Sequence, residues 1–455
     1  MQGRWANTAA GALNLPYLGV AFAQAGIFDA IDAIRQTPPF VDYGATFQPV
    51  KVGIVDTGFA PFDQAEFVSG GINVVSLFRP NAQGVFVQSP INLSSDPSPS
   101  GHGTKVTSII AALNTGSAGS GVFGGLFAPG EAQFETIVYG LDDYSDSQIT
   151  NALTDLAERG DIDVVNLSFG KDWPGPSPEF EAEKAFYGDL FALFGGRTLI
   201  VTSAGNAGVQ AAFHTPSILE SALPYVMSIA AVAVRNLDGS GEGADARAIF
   251  GGALGKSTSA YCLPGVEVGG SNCGPGITMA APGEDVLVYG KTASGWGLGD
   301  GTSYATPMVA AVAAMMHAIR PPGATLPPDV LRSLLVDSGT DITARFSAAG
   351  QPMRRLNALN AVRVVLDASA PQMIYVSDQQ AGTAEPFGRV IGIDVDPLTG
   401  KRPTPPNPDV VIPLTFTAQG QTFQGTRPTA MIASPLGDRL FVVVNGGTSL
   451  GDGLL

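Results

Sequence analysis

The sequence is short of four things, and each shortage closes off a class of protein. Only two cysteines, Cys262 and Cys273, occur in 455 residues, so no disulfide framework organises this chain and no cysteine-rich metal cluster can form. Charged residues make up 14% while 45% are hydrophobic, which excludes a disordered chain. Positive charge is scarce: 24 Lys and Arg stand against 40 Asp and Glu, a net charge of −16. That balance argues against nucleic acid and against an anionic membrane surface as partners. No apolar run approaches the roughly 20 residues needed to span a bilayer.

What remains is the composition of a large globular protein with length for more than one domain. The acidic balance, low lysine content and 58 glycines fit a secreted enzyme. Met1 to Ala25 holds one early Arg and Ala23-Gln24-Ala25, a faint echo of a cleavage site, but Asn14 and Pro16 interrupt its apolar part. Residues 1–45 read instead as a lead-in segment whose helix runs from about Gly19 to Ile34.

From Pro49 onward, short β-branched runs alternate with helical periodicity. Strands are expected at Val50–Val55, Glu135–Tyr139, Asp163–Leu167, Thr198–Thr202, Tyr225–Val234 and Asp285–Tyr289. Helices are expected at Gly103–Leu113, Asp146–Arg159, Glu179–Phe194 and Pro327–Val336. In Asp146–Arg159, Ile149, Leu153 and Leu156 share one side. Such alternation predicts an α/β fold over residues 46–366, a parallel sheet with helices on both faces. Working residues then gather at the carboxyl ends of the strands, where Asp56 and Asn206 both fall. Arg235 to Gly276, rich in Gly and Ser, reads as a surface insertion. Its cysteines form either a local staple or two free thiols. Composition shifts near Asp367, and 367–455 reads as a small all-β segment. Its stretches MIYVSDQQAG and RLFVVVNGGT are similar to single blades of a β-propeller.

The stretch GDGTSYATPMVAAVAAMMH, Gly299 to His317, predicts a buried helix beginning just after Ser303, with Pro307 in its first turn. Ser303 is then either a helix N-cap or a nucleophile placed at free backbone N–H groups, where a developing negative charge is stabilised. Two further motifs bear on that choice. Asp56 lies in Val55-Asp56-Thr57-Gly58 at a strand end, and His102 lies in Gly101-His102-Gly103-Thr104 at a helix start.

Together, in the order Asp, His, Ser, these motifs make roughly 46–366 resemble a subtilisin-like serine protease, a subtilase. Asn166-Leu167-Ser168-Phe169-Gly170 resembles the family's substrate-pairing segment. Thr202-Ser203-Ala204-Gly205-Asn206 resembles its oxyanion segment, and Ala280-Ala281-Pro282-Gly283 its APG turn; Ala128-Pro129-Gly130 also fits. The resemblance implies a serine endopeptidase with Ser303 as nucleophile, His102 as general base and Asp56 orienting the imidazole. Asn206 and the Ser303 N–H would meet the oxyanion. Ser168, Phe169, Gly170, Ala204 and Gly205 would contact a polypeptide substrate. His214 and His317 lack such surroundings and read as structural.

The implied chemistry needs no cofactor. Calcium is common in the family, but Asp142, Asp143 and Asp146 match no loop template, so no metal site is assigned. A secreted monomer is expected. The about 50 residues before Asp56 are too few for a usual propeptide plus signal, so the chain is expected to be a fragment or Met1 not to be the natural secretion start. Three rivals differ in what they require. A pepsin-like reading pairs Asp56 with Asp337 in Asp337-Ser338-Gly339-Thr340 and needs an all-β fold. Sedolisins put Glu for the His and Asp for the Asn. A dead scaffold serving a binding tail has no use for the full set Asp56, His102, Asn206 and Ser303.

Overall fold

The computed structural model describes residues 20–36, 47–69, 72–115, 119–127, 134–234, 248, 270–292, 295–320, 324–346 and 352–369. Beyond them it describes the strands 372–378, 389–395, 410–413, 415–418, 421–433, 440–446 and 453–454. Ala128-Pro129-Gly130 and Cys262 lie outside these residues, as does most of the insertion. Two compact units result, Met1–Leu366 and Asp367–Leu455.

The first unit begins with two short helices, α1 (Val20–Gln24) and α2 (Ile27–Gln36). The single lead-in helix expected there is broken at Gly26, which adopts φ +72 and so ends the first turn with a conformation that glycine takes without strain. Ile27, Ile31 and Ile34 are buried in the main core. There follow β1 (Val50–Asp56), β2 (Val75–Pro80), β3 (Phe86–Gln88), α3 (His102–Ala111), β4 (Phe134–Gly140), α4 (Asp146–Arg159) and β5 (Val164–Leu167). The chain continues through β6 (Lys171–Asp172), α5 (Pro178–Ala192), β7 (Leu199–Ser203), β8 (His214–Thr215), β9 (Val226–Val232) and β10 (Met279–Pro282). It ends with β11 (Val286–Tyr289), β12 (Trp296–Gly299), α6 (Thr302–Ala318), α7 (Pro328–Ser338), β13 (Thr340–Asp341), β14 (Arg354–Arg355) and α8 (Ala358–Ser369).

One ten-stranded sheet runs β13-β14-β10-β9-β7-β5-β1-β4-β2-β3. It is parallel from β14 to β2, with an antiparallel strand at each edge. Consecutive residues face opposite sides, as the strand period of two requires. Ile54, Val138, Val164, Val201 and Met227 join one core, under α3, α6 and α8. Their chain neighbours Val55, Ile137, Val165, Ile200 and Val226 join the other, under α4 and α5. This is why the strands read as continuous apolar runs: both faces are covered.

Further strand and helix expectations change. Val286–Tyr289 leaves the parallel sheet and pairs antiparallel with Trp296–Gly299. The helix begins at Thr302, so Ser303 lies inside its first turn and Gly301, with φ +147, is the cap. Pro307 sits a full turn beyond Ser303 and not in the first turn. All residues of α6 are buried, as a helix apolar on every side must be.

In the second unit, three strands, 372–378, 389–395 and 410–413, form one antiparallel sheet. Strands 415–418, 421–433, 440–446 and 453–454 form another. No helix among the described residues is long and apolar enough to cross a membrane.

Candidate active site

The sheet grows to both sides of β1, and the crevice at such a point, beyond the strands' carboxyl ends, is where α/β sheets place ligands. Asp56 ends β1 there, fully buried. Its Oδ1 accepts from Thr57 N at 2.7 Å and pairs with His102 Nδ1 at 2.8 Å. A carboxylate can only accept, so Nδ1 carries the proton and Nε2 is left as an acceptor. Burial alone would lower the His102 pKa. The Asp56 charge and hydrogen bond, with help from the Asp96 charge, outweigh it and hold the imidazole above its ordinary 6.5.

Gly103, next to His102, packs against the turn that follows Asp56. A β-carbon at Gly103 would lie 2.3 Å from Gly58 O and 3.2 Å from Asp56 Oδ1. Close backbone approach, not flexibility, is the reason for glycine at this point.

Ser303 rides on the first turn of α6, and the ring of its neighbour Tyr304 lies 5.9 Å from that of His102. Pro307 has no N–H, so the Ser303 carbonyl lacks its helical partner four residues on. Ser168 Oγ donates to that freed carbonyl at 3.0 Å. In return Ser303 Oγ donates to Ser168 O at 3.0 Å, and Asn166 Nδ2 donates to Ser168 Oγ at 3.0 Å. The structure therefore joins Asp56 to His102, while the Ser303 hydroxyl rests on Ser168 and not on the imidazole.

Asn206 follows β7. Its Oδ1 accepts from Thr302 N at 2.9 Å and Thr302 Oγ1 at 2.8 Å. The backbone N–H can only donate, which fixes the oxygen on that side and leaves Nδ2 free of these two bonds. Thr302 is the residue that sequence reasoning missed; an Asn anchored by the residue before Ser303 is invisible until the two loops meet.

Ser168 and Ala204 are buried. Gly170 and Gly205, the latter at φ +98, both abut the His214 ring, which lies 2.1 Å and 2.5 Å from their ideal β-carbons. His214 is buried and its Nδ1 pairs with Ser217 Oγ at 3.1 Å. Burial outweighs the pull of Asp172 and takes its pKa down to about 4, so it is neutral and part of the wall. Phe169 packs on Tyr144 at 5.1 Å. His317 is buried in α6, and burial and the Arg320 charge pull its pKa down to about 3.

The other candidates lie elsewhere. Asp337 is exposed on α7, and the fold is not all-β, so the paired-carboxylate reading fails. Asp142 pairs with Arg79, and Asp143 Oδ1 accepts from Ser145 N at 2.9 Å. Among the described residues no three metal-ligating side chains gather. Cys273 is disulfide-bonded, and Cys262 lies outside the described residues.

Residues 48–355 match the model of the subtilase family, Peptidase_S8. Over 262 residues the chain is 28% identical to halolysin from Haloferax mediterranei, covering 57% of this chain and 40% of that protein. It is also 28% identical over 174 residues to subtilisin DY from Bacillus licheniformis, covering 36% of this chain and 50% of that protein. The chain thus spans half or less of these curated relatives. Among solved structures, the A subunit of an AB5 toxin from E. coli superposes with TM-score 0.51 at 22% identity, covering 75% of this chain and 99% of that one. A subtilase cytotoxin superposes with TM-score 0.50 at 19% identity, covering 78% and 98%.

Proposed function

Because this chain belongs to the subtilase family, we propose that it is a serine endopeptidase that cleaves polypeptides through an acyl-enzyme. The observation that carries this reading is the His102–Asp56 pair, at 2.8 Å, beside the buried helix that presents Ser303. For attack, the Ser303 hydroxyl turns from Ser168 O to His102 Nε2, which takes its proton as the oxygen bonds to the scissile carbonyl carbon. Asp56 stabilises the imidazolium so formed. Asn206 Nδ2 and the Ser303 N–H, unpaired at a helix N-terminus, receive the oxyanion. His102 then passes its proton to the leaving amine, and water repeats the sequence to release the acid. Ser168 to Gly170 pair with the substrate backbone as an added strand.

Export is part of the proposal, supported by the disulfide at Cys273, a bond that persists in oxidising compartments. The test is labelling with a fluorophosphonate. Wild-type protein is expected to label and Ser303→Ala not to. Labelling that survives Ser303→Ala overturns the assignment, and inhibition by pepstatin at acid pH would redirect it to carboxylate chemistry.

A further inference from the structure

A second buried carboxylate stands behind the His102–Asp56 pair. Asp96, fully buried in the loop before α3, accepts four hydrogen bonds. Thr57 Oγ1 at 2.8 Å and Ser98 N at 3.1 Å reach its Oδ1. Thr104 N at 3.0 Å and Thr104 Oγ1 at 2.7 Å reach its Oδ2. Thr57 directly follows Asp56, and Thr104 lies two residues after His102, so one carboxylate grips both sides of the pair.

Each threonine hydroxyl passes the grip on. Thr57 Oγ1, donating to Asp96, accepts from Gly103 N at 2.9 Å. Thr104 Oγ1, also donating to Asp96, accepts from Ala60 N at 2.9 Å. The turn 57–60 and the helix start 103–104 are thereby cross-linked in both directions through one side chain. A hydroxyl has a single proton, and a carboxylate accepts without donating. Only an ionised acid at position 96 therefore satisfies both hydroxyls and both N–H groups together. Lys291 Nζ donates to Asp96 O at 2.9 Å and holds the loop itself.

We propose that Asp96 is a positioning residue that holds the Asp56 turn against the His102 helix and sets the geometry of the imidazole. The inference rests on the peptidase reading for its kinetic consequence, not for its structural one. The groups facing His102 are Asp56 from β1, Asp96 from the preceding loop, Tyr304 from α6 and Lys105 from its own helix. Asp56 and Asp96 favour the imidazolium and Lys105 opposes it. Asp96→Asn keeps the shape, removes the charge and turns one acceptor into a donor facing donors.

The experiment compares wild type, Asp96→Asn and Asp96→Glu by titrating the His102 imidazole by NMR, with His102→Ala to assign the signal. The same variants are assayed for kcat and KM on a peptide substrate, corrected for folded fraction by circular dichroism. Asp96→Asn is expected to move the His102 titration, and the acid limb of kcat/KM, to lower pH. At the plateau it lowers kcat about 10- to 100-fold with KM little changed, and Asp96→Glu restores the pH limb. If Asp96→Asn does not fold, Thr57→Val removes one arm alone and is expected to cost about 3- to 10-fold in kcat. An unmoved His102 titration, or loss of activity that only tracks folded fraction, overturns the proposal. Wild-type protein with a raised His102 titration that Asp96→Asn lowers, but no hydrolysis, would refute the peptidase reading and leave Asp96 as the positioning group.

Discussion

Replacing Gly103 with alanine would force apart the two segments that carry Asp56 and His102. The new β-carbon would stand 2.3 Å from Gly58 O and 2.8 Å from Gly58 N, where real contacts do not fall below 3.0 Å. Both obstacles are backbone, so no side chain can swing aside. The gap has to open by most of an ångström, and Gly103 N would be drawn off Thr57 Oγ1, now at 2.9 Å. A displacement of about 1 Å in catalytic geometry costs on the order of 10²-fold in rate. Stability should change less, because overpacking costs about 1–3 kcal/mol while alanine in a helix returns roughly 1 kcal/mol over glycine. The assay is kcat on a peptide anilide, normalised by fluorophosphonate titration of competent sites. Gly175→Ala is the control, since nothing lies within 4 Å of its added carbon. A Gly103→Ala enzyme with wild-type kcat per titrated site would refute the argument that the tight packing at Gly103 sets the dyad.

Two more perturbations follow from other contacts. Thr302→Val leaves Asn206 Oδ1 with the backbone N–H alone, removing the 2.8 Å hydroxyl bond. One net hydrogen bond is about 1 kcal/mol, so kcat should fall about 5-fold with KM unchanged, and a rise in KM alone would count against the orienting role. Glu284, pushed up to about 7 by burial and by the charges of Asp285 and Asp300, binds its proton more tightly folded than unfolded. Its stabilising contribution is therefore complete below about pH 4.5 and lost as pH rises through 7. Glu284→Gln should be more stable than wild type at pH 9, by about 1–2 kcal/mol after allowing for solvent screening, and about equal at pH 4. Urea midpoints showing the same difference at both pH values would contradict this.

Much of this protein is written locally. Strands such as Val164–Leu167 and the helix Asp146–Arg159 announce themselves because both faces, or one stripe, must be apolar, and those patterns sit in contiguous residues. The motifs around Asp56, His102 and Ser303 are equally local. Their chain order carries the family resemblance without any coordinate, and the match over residues 48–355 agrees with it. The helix behind Ser303 is also legible, but its start is not. An N-cap serine and a serine two residues past the cap look alike in sequence, and only the helix start at Thr302, with Gly301 as the cap, separates them.

Other features could not be read, because they depend on which donor meets which acceptor across the chain. Pro307 looks like a first-turn residue until the Ser303 carbonyl it frees is found bonded to Ser168, 135 positions away. Asp96 looks like one acid in a Ser- and Pro-rich loop until Thr57, 39 positions earlier, donates to it. Thr302 acquires its role only when Asn206, 96 positions earlier, folds over it. Propensity and periodicity fixed the elements. The hydrogen bonds that orient the candidate catalytic groups were decided by tertiary packing, because a buried polar atom must find its partner wherever the fold has put one.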